Sequence, residues 1–201
     1  MADKYSDFES LQKAEREGLD FRIRSCDRNS RNIVIAPHGG GIEPGTSELA
    51  EAIAGSNLSF YAFEGMKATG NGQLHITSTR FNEPVCFDLL ARAESAIAIH
   101  GEDSDEAVVF LGGLDIAGVA RLQEALQVRD FRVRTDGPAH LQGISTTNIC
   151  NRGTAGGGIQ IELSHGLRLT LFQSLTRAGR EVATPRFREF VAGVRESVLA
   201  E

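Results

Sequence analysis

The sequence predicts an α/β domain with a mixed, mostly parallel central sheet flanked by helices, on three observations. Asn32-Ile-Val-Ile-Ala36 and Ala96-Ile-Ala-Ile-His100 are short, continuous apolar runs, as in strands buried on both faces. Segments with helical spacing lie between such runs, the alternation that builds parallel sheets. The chain has 201 residues, 41% hydrophobic and 24% charged, which suits one domain over 1–201 with no repeat and no linker.

The elements follow in order. Leu19–Arg24 alternates apolar and polar residues, as a half-buried strand does. After the strand at 32–36 and a Gly-rich loop, Thr46 caps a helix through Ala54, with Glu48 suited to its first turn and Gly55 to its end. Leu58–Glu64 and Leu74–Ser78 read as strands, and Val85–Glu94 as a helix. Next come the strand ending on His100, a strand at Val108–Leu111 and a helix from Asp115 to Gln127. Ile116, Val119, Leu122 and Leu126 form that helix's apolar stripe. Phe131–Arg134 alternates again. The stretch 135–158 lacks periodicity and is long for a loop inside a compact domain. Ile159–Leu163 is a strand. Thr184-Pro185 opens a last helix, with Phe187, Phe190, Val191, Val194 and Val198 at helical spacing.

Several function classes are excluded. A net charge of −6 and a pI near 5.4 argue against general nucleic-acid binding. No apolar window is long enough to span a membrane. The opening MADKYSDFESLQKAEREG has no apolar core of a signal peptide, so the expected location is the cytoplasm, with cell lysis as the route out. Cys26, Cys86 and Cys150 are far apart and form no C-x-x-C, so free thiols are expected; Cys150, in the Gly-rich loop, is a weak candidate nucleophile.

Chemistry is suggested by placement. His38, His100 and Glu162 fall at or near the carboxyl ends of predicted strands, where α/β sheets bind ligands. The loop Ala36-Pro-His-Gly-Gly-Gly-Ile-Glu-Pro-Gly-Thr-Ser-Glu48 has three readings. As an esterase oxyanion loop it lacks a G-x-S-x-G partner, and as a phosphate cradle it lacks the Walker lysine. As a metal site it has His38 and Glu43 joined by glycines that permit unusual backbone angles. His100 is the natural third ligand, His75 its rival, and Glu162 a candidate general base. A hydrogen-bonded, purely structural histidine is the competing reading for each imidazole. His140 and His165 lie in polar surroundings and are read as facing solvent or as supporting the site from behind its ligands.

Seven strings carry a resemblance: APHGGGIEPGTSELA (36–50), YAFEG (61–65), LHITSTRFNEP (74–84), AIAIHG (96–101), LGGLD (111–115), NICNRG (148–153) and GIQIELSHGLR (158–168). From about Tyr5 to Arg168 the chain resembles the poly-γ-glutamate hydrolase family of phages, prophages and bacteria, similar in fold to the zinc carboxypeptidases. The residues beyond about 170 carry no matching motif. The resemblance implies one Zn²⁺ per chain on His38, Glu43 and His100, Glu162 as general base and acid, and cleavage of γ-glutamyl amide bonds. Four residues separate His38 from Glu43, where carboxypeptidases have two. Arg80 has the chain position of a substrate-binding or electrophilic arginine. Asn151-Arg152 resembles the carboxylate-holding Asn-Arg pair but follows the third ligand, so that role is not transferred. A polyanionic substrate on an acidic chain demands a local cationic groove, with Arg80, Arg152, Arg168 and Lys67 as candidates and Asn151 beside them. Glu162 in such a groove is expected to stay ionised. Two other functions remain open: a zinc amidase acting on small N-acyl amino acids or cell-wall peptides, and a binding protein on the same fold that has lost catalysis.

Overall fold

A computed structural model describes residues 3–199. Its sheet contains β1 (Phe21–Cys26), β2 (Asn32–Gly40), β3 (Ser59–Gly65), β4 (Ser95–Glu102), β5 (Val109–Gly113), β6 (Val133–Arg134) and β7 (Ile159–Ser164), in the spatial order β1-β3-β2-β4-β7-β5-β6. The four central strands β3, β2, β4 and β7 are mutually parallel. β1 runs antiparallel to β3 on one side; β5 runs antiparallel to β7 on the other, with β6 parallel to β5. The mixed, mostly parallel sheet matches the sequence-based expectation.

Helices cover both faces. α2 (Thr46–Ala54), α4 (Ile116–Gln127), α5 (His165–Leu171) and α6 (Pro185–Leu199) pack on one face, against Val34, Ala36, Phe60, Ala62, Ile97, Ile99 and Ile161. α1 (Phe8–Gln12), α3 (Pro84–Leu90) and a 3₁₀ turn at Ile149–Asn151 pack on the other, against Ile33, Ile35, Tyr61, Phe63, Ala96 and Ala98. Alternate residues of each central strand therefore enter different cores, which is why these strands read as unbroken apolar runs. No helix among the described residues is long and apolar enough to cross a membrane.

Local chemistry sets the boundaries. Thr184 Oγ1 accepts from Phe187 N, the cap expected for α6. Asp115 caps α4 through Gly118 N. Glu83 caps α3 through Val85 N and Cys86 N, and that helix ends at Leu90, short of Glu94. Glu94 N already donates to Arg31 O, which commits the chain to β4. The expected strand at 74–78 does not form: a 3₁₀ turn at Asn71–Leu74 precedes an irregular segment. β1 and β2 occupy both edges of β3, and Thr77 N bonds the Asp3 side chain. Of Phe131–Arg134 only two residues pair, as the edge strand β6. The short helices α1 and α5 were not anticipated, being too brief for a period to register.

β2 is the switch point of the sheet. The chain leaves it over one face through α2 to reach β3, then returns over the other face through α3 to β4, on β2's opposite side. A crevice opens at the carboxyl ends of strands arranged in this way.

Candidate metal centre

His38 reaches the crevice because β2 carries a bulge. Ala36 pairs with Ala62, but Gly39 pairs with Glu64, so β2 has one residue more than β3 over this stretch. Strict two-residue alternation would send His38 to the same side as Val34 and Ala36. The extra residue turns it to the opposite side, where its ring meets His75, Phe81 and His100. Beyond the bulge the loop closes on itself through a hydrogen bond from Glu43 N to His38 O, 2.9 Å. Gly40 sits at φ +65°, and a Cβ there would lie 2.6 Å from the Gly65 carbonyl oxygen. The close approach of β2 and β3 needs glycine at that point.

The side chains of three residues converge. His38 Nδ1 lies 3.0 Å from Glu43 Oε1 and 3.1 Å from His100 Nδ1, and His100 Nδ1 lies 3.7 Å from Glu43 Oε2. Ligands at ordinary zinc bond lengths are separated by about 3.3 Å in a tetrahedral site, and the separations of His38 Nδ1 from Glu43 Oε1 and from His100 Nδ1 are close to that. The surroundings aim each donor. His38 Nε2 is 2.8 Å from Ile76 O, which makes Nε2 the protonated nitrogen and leaves the Nδ1 lone pair facing Glu43 and His100. Gly101 N donates to Glu43 Oε2 at 2.9 Å. The rings of His38 and His100 are buried, and His100 Nε2 has no hydrogen-bond partner. His75 stacks on His38 with centroids 4.0 Å apart and brings Nε2 to 3.9 Å from Glu43 Oε1. His38, Glu43 and His75 each offer a ligand atom within 4.8 Å of the others. His75 thus shares a cluster with His38 and Glu43, and His100 adjoins the same two residues, where the sequence named His100 as the third ligand and His75 as its rival.

Charge in the cluster is mutually supported. Burial raises the proton affinity of Glu43, but His38 and His100 outweigh it and hold its carboxyl well below the usual range. Burial lowers the pKa of His100, and Glu162 and Glu43 reverse the sign, leaving it raised.

Glu162 is on β7, paired in register with His100 on the neighbouring strand. Ile159, Ile161 and Leu163 enter the α2 side, so Gln160 and Glu162 face the same side as His100. Gln160 Nε2 donates to Glu162 Oε1 (2.9 Å) and to Leu141 O, while Gln160 Oε1 accepts from Asn148 Nδ2. This buried amide chain positions the carboxylate. The polar members of Ile-Gln-Ile-Glu-Leu163 were the signal for it, and Gln160 was overlooked beside Glu162. Burial lifts the Glu162 carboxyl above the ordinary range; His100 opposes this, and Glu43 and Glu102 reinforce it. The expectation that neighbouring arginines keep it ionised is therefore corrected: burial outweighs them.

The cationic candidates disperse. Arg80 stands at the cluster's edge with a side chain 57% exposed, 3.7 Å from Asp3 Oδ2. Lys67 is paired with Glu15 at 2.6 Å. Arg168 is buried, its guanidinium donating to the carbonyls of Leu163, Pro44 and Glu102, a strut between loops. Asn151 is buried and spent on backbone groups of Leu114, Gly143, Ser145 and Gly158. Arg152 lies over the Phe87 ring. The chain beside them packs on Glu94 and Ser95, at the start of β4. Five residues of extended strand, roughly 16 Å, separate that point from His100. Arg152 thus lies away from His100 and Asn151 is spent on backbone groups, whereas Arg168 packs its guanidinium against Gly101, beside His100, with its donors committed to carbonyls. All three cysteines are free. Cys150 is buried and its thiol is pushed up to about 12 by that burial, the opposite of an activated nucleophile. His140 has no part in the cluster; His165 lies 3.6 Å from Asp105.

The family model for poly-gamma-glutamate hydrolase matches residues 5–193. The chain is 41% identical over 180 residues to the SPbeta prophage-derived protein YoqZ of Bacillus subtilis, covering 89% of this chain and 65% of YoqZ. It is 38% identical over 190 residues to YndL of the same organism, covering 94% of this chain and 75% of YndL. The chain thus spans just under two thirds of YoqZ and three quarters of YndL. A solved bacteriophage poly-gamma-glutamate hydrolase superposes with a TM-score of 0.94 at 29% identity, covering 99% of this chain and 98% of that one. An apo, zinc-free structure of YndL superposes with a TM-score of 0.92 at 36% identity, covering 98% of each chain.

Proposed function

The chain belongs to the poly-gamma-glutamate hydrolase family, and from that premise we propose that it is a zinc-dependent hydrolase of the γ-glutamyl amide bonds of poly-γ-glutamate, with one metal held by His38, Glu43 and His100. The convergence of His38 Nδ1, His100 Nδ1 and the Glu43 carboxylate, with Glu162 in register on the next strand, carries this reading.

A bound zinc ion supplies Lewis-acid polarisation of the amide carbonyl and acidifies water. Glu162 takes the proton from the attacking water and returns it to the leaving amine. Its raised proton affinity suits a group that must do both, and Gln160 fixes the carboxylate's direction. Arg80 presents a solvent-facing guanidinium at the edge of the cluster. Each γ-linked residue carries a free α-carboxylate, and a guanidinium binds such a group in bidentate fashion. His38 and His100 stay fixed by burial.

A second reading is favoured by the commitment of Arg168 and Asn151 to backbone groups and by the placement of Arg152 at the far end of β4. A zinc amidase for small N-acyl amino acids or cell-wall peptides needs only one cationic contact, and Arg80 supplies it.

The test is incubation with purified poly-γ-glutamate, with and without a chelator, read by polymer length. α-Polyglutamate and small N-acyl glutamates are run in parallel. Expected are chelator-sensitive shortening of the γ-linked polymer alone and its loss in Glu162→Gln with zinc content unchanged. Cleavage confined to the small substrates supports the second reading. Chelator-resistant cleavage, or a fully active Glu162→Gln, refutes the mechanism.

A further inference from the structure

The first described residues cross the edge of the metal cluster, and nothing in the hydrolytic scheme calls for them. Asp3 lies 72 positions before His75, yet its side chain is only 6% exposed. Asp3 Oδ1 is 2.7 Å from His75 Nδ1. Asp3 Oδ2 accepts from Thr77 N at 2.7 Å and from Thr77 Oγ1 at 2.6 Å. A carboxylate only accepts, so His75 Nδ1 is the donor and its proton is committed to Asp3. The lone pair of that imidazole is then on Nε2, the nitrogen 3.9 Å from Glu43 Oε1. A carboxylate that takes the outer N–H of an imidazole and aims the other nitrogen inward is the usual support of a metal-ligating histidine. The segment is tied down elsewhere as well. Phe8 N donates to Asn82 Oδ1 at 2.7 Å, Lys4 pairs with Glu15 at 3.2 Å, and the Tyr5 ring is buried in the α1-side core.

We propose that Asp3 holds His75 as a fourth protein ligand, so that docking of residues 3–8 and metal binding at the cluster stabilise each other. The inference rests on the zinc centre proposed above and extends it to a ligand and an outer partner that the carboxypeptidase-like set does not include. Coupling of this kind is reciprocal: the factor by which the docked strap raises metal affinity is the factor by which metal strengthens docking. Loss of such an outer partner weakens metal binding about 10–100-fold.

The experiment uses the full chain and reads zinc affinity by competition with a chromophoric chelator, not by activity. Wild type, Asp3→Ala, His75→Ala and the double variant are compared after circular dichroism has established that each is folded. Expected are losses of about 10–100-fold in zinc affinity for each single variant, with the double variant no weaker than His75→Ala, since Asp3 acts through that ring. Hydrogen exchange of the backbone amides of residues 4–8 gives an independent readout. Zinc is expected to slow it in the wild type by a comparable factor and to leave it unchanged in Asp3→Ala. Wild-type affinity in Asp3→Ala, additive losses in the double variant, or exchange indifferent to zinc overturns the inference and leaves the three-ligand centre standing. A wild-type chain that takes up no zinc overturns the centre and the inference together.

Discussion

Replacing Gly40 with Ala separates two costs that the structure places at one residue. Gly40 has φ +65°, where an L side chain costs about 1–2 kcal/mol. The added Cβ would also lie 2.6 Å from Gly65 O, 2.9 Å from Gly65 N and 3.0 Å from Glu64 Cβ. Two of those atoms are backbone of the paired strand. That strand cannot withdraw without straining the hydrogen bond from Gly41 N to Gly65 O, 2.9 Å. Overpacking of this sort adds about 1–3 kcal/mol, for a total of about 2–5 kcal/mol. Gly70 supplies the control: its φ is +75°, but a Cβ there meets nothing nearer than Gln73 Nε2 at 3.8 Å, so Gly70→Ala costs the conformational part alone. Gly72→Ala, which meets nothing within 4 Å, is expected near neutrality. Urea unfolding of the metal-free proteins gives the three values free of ligand linkage. Because the loop after Gly40 carries Glu43, Gly40→Ala should lower zinc affinity as well, and Gly70→Ala should not. A Gly40→Ala variant no less stable than Gly70→Ala refutes the argument that the β2–β3 approach, and not the backbone angle alone, demands glycine there.

Three further outcomes follow from named contacts. Arg168→Met removes donors from three carbonyls, at about 1 kcal/mol each, so the melting temperature should fall by roughly 6–12 °C while KM is unchanged; a raised KM with full stability would instead put that guanidinium in the substrate groove. Gln160→Leu deprives Glu162 of its hydrogen bond, worth about 1.5–3 kcal/mol to a charged acceptor, and should lower kcat by about 10–100-fold with zinc content intact, as kinetics and metal analysis together check. Burial pushes the Glu15 carboxyl up, but Lys67, Tyr5 and Lys4 outweigh it and hold it at about 2 against 4.5 unfolded. A depressed pKa stabilises the fold above pH 4.5 and loses that effect as pH falls toward 2. Solvent around Lys4, 47% exposed, screens the pairing, so the contribution is set at about 1–2 kcal/mol. Glu15→Gln should be less stable than wild type by that amount at neutral pH, and a pH series of denaturant midpoints should show the gap closing toward pH 2.

What the sequence made legible was whatever a local pattern encodes. Buried strands 32–36 and 96–100 announced themselves as apolar runs, and α6 announced itself through a Thr-Pro cap and a regular apolar stripe. Contacts made across the chain were not legible. Asp3 and His75 share no local pattern, and only the folded chain brings them within 2.7 Å. Arg168 and Asn151-Arg152 were chosen for lying in or beside motifs, but a motif does not say at which end of a strand a side chain emerges, or on which carbonyls it is spent. Arg168 lies one turn beyond β7 and turns inward, and Arg152 sits at the amino end of β4.

His38 shows how far the two kinds of information depend on each other. Its position at the end of a predicted strand was right, and it made the residue a candidate ligand. Yet the same alternation that identified the strand assigns His38 to the α2 side, with Val34 and Ala36, and assigns His100 to the opposite side, with Ala96 and Ala98. Taken literally, the periodicity separates the two imidazoles by the thickness of the sheet. One additional residue between Ala36 and Gly39 resolves the conflict by rotating His38 through the sheet plane, at a point where Pro37 has no N–H to pair. The bulge is therefore as much a part of the metal centre as the ligands are. Deleting one residue from this stretch of β2 would restore regular pairing and remove His38 Nδ1 from Glu43 and His100, so such a variant should keep its fold and lose its zinc. Retention of wild-type zinc affinity after the deletion would show that the bulge does not aim the ligand.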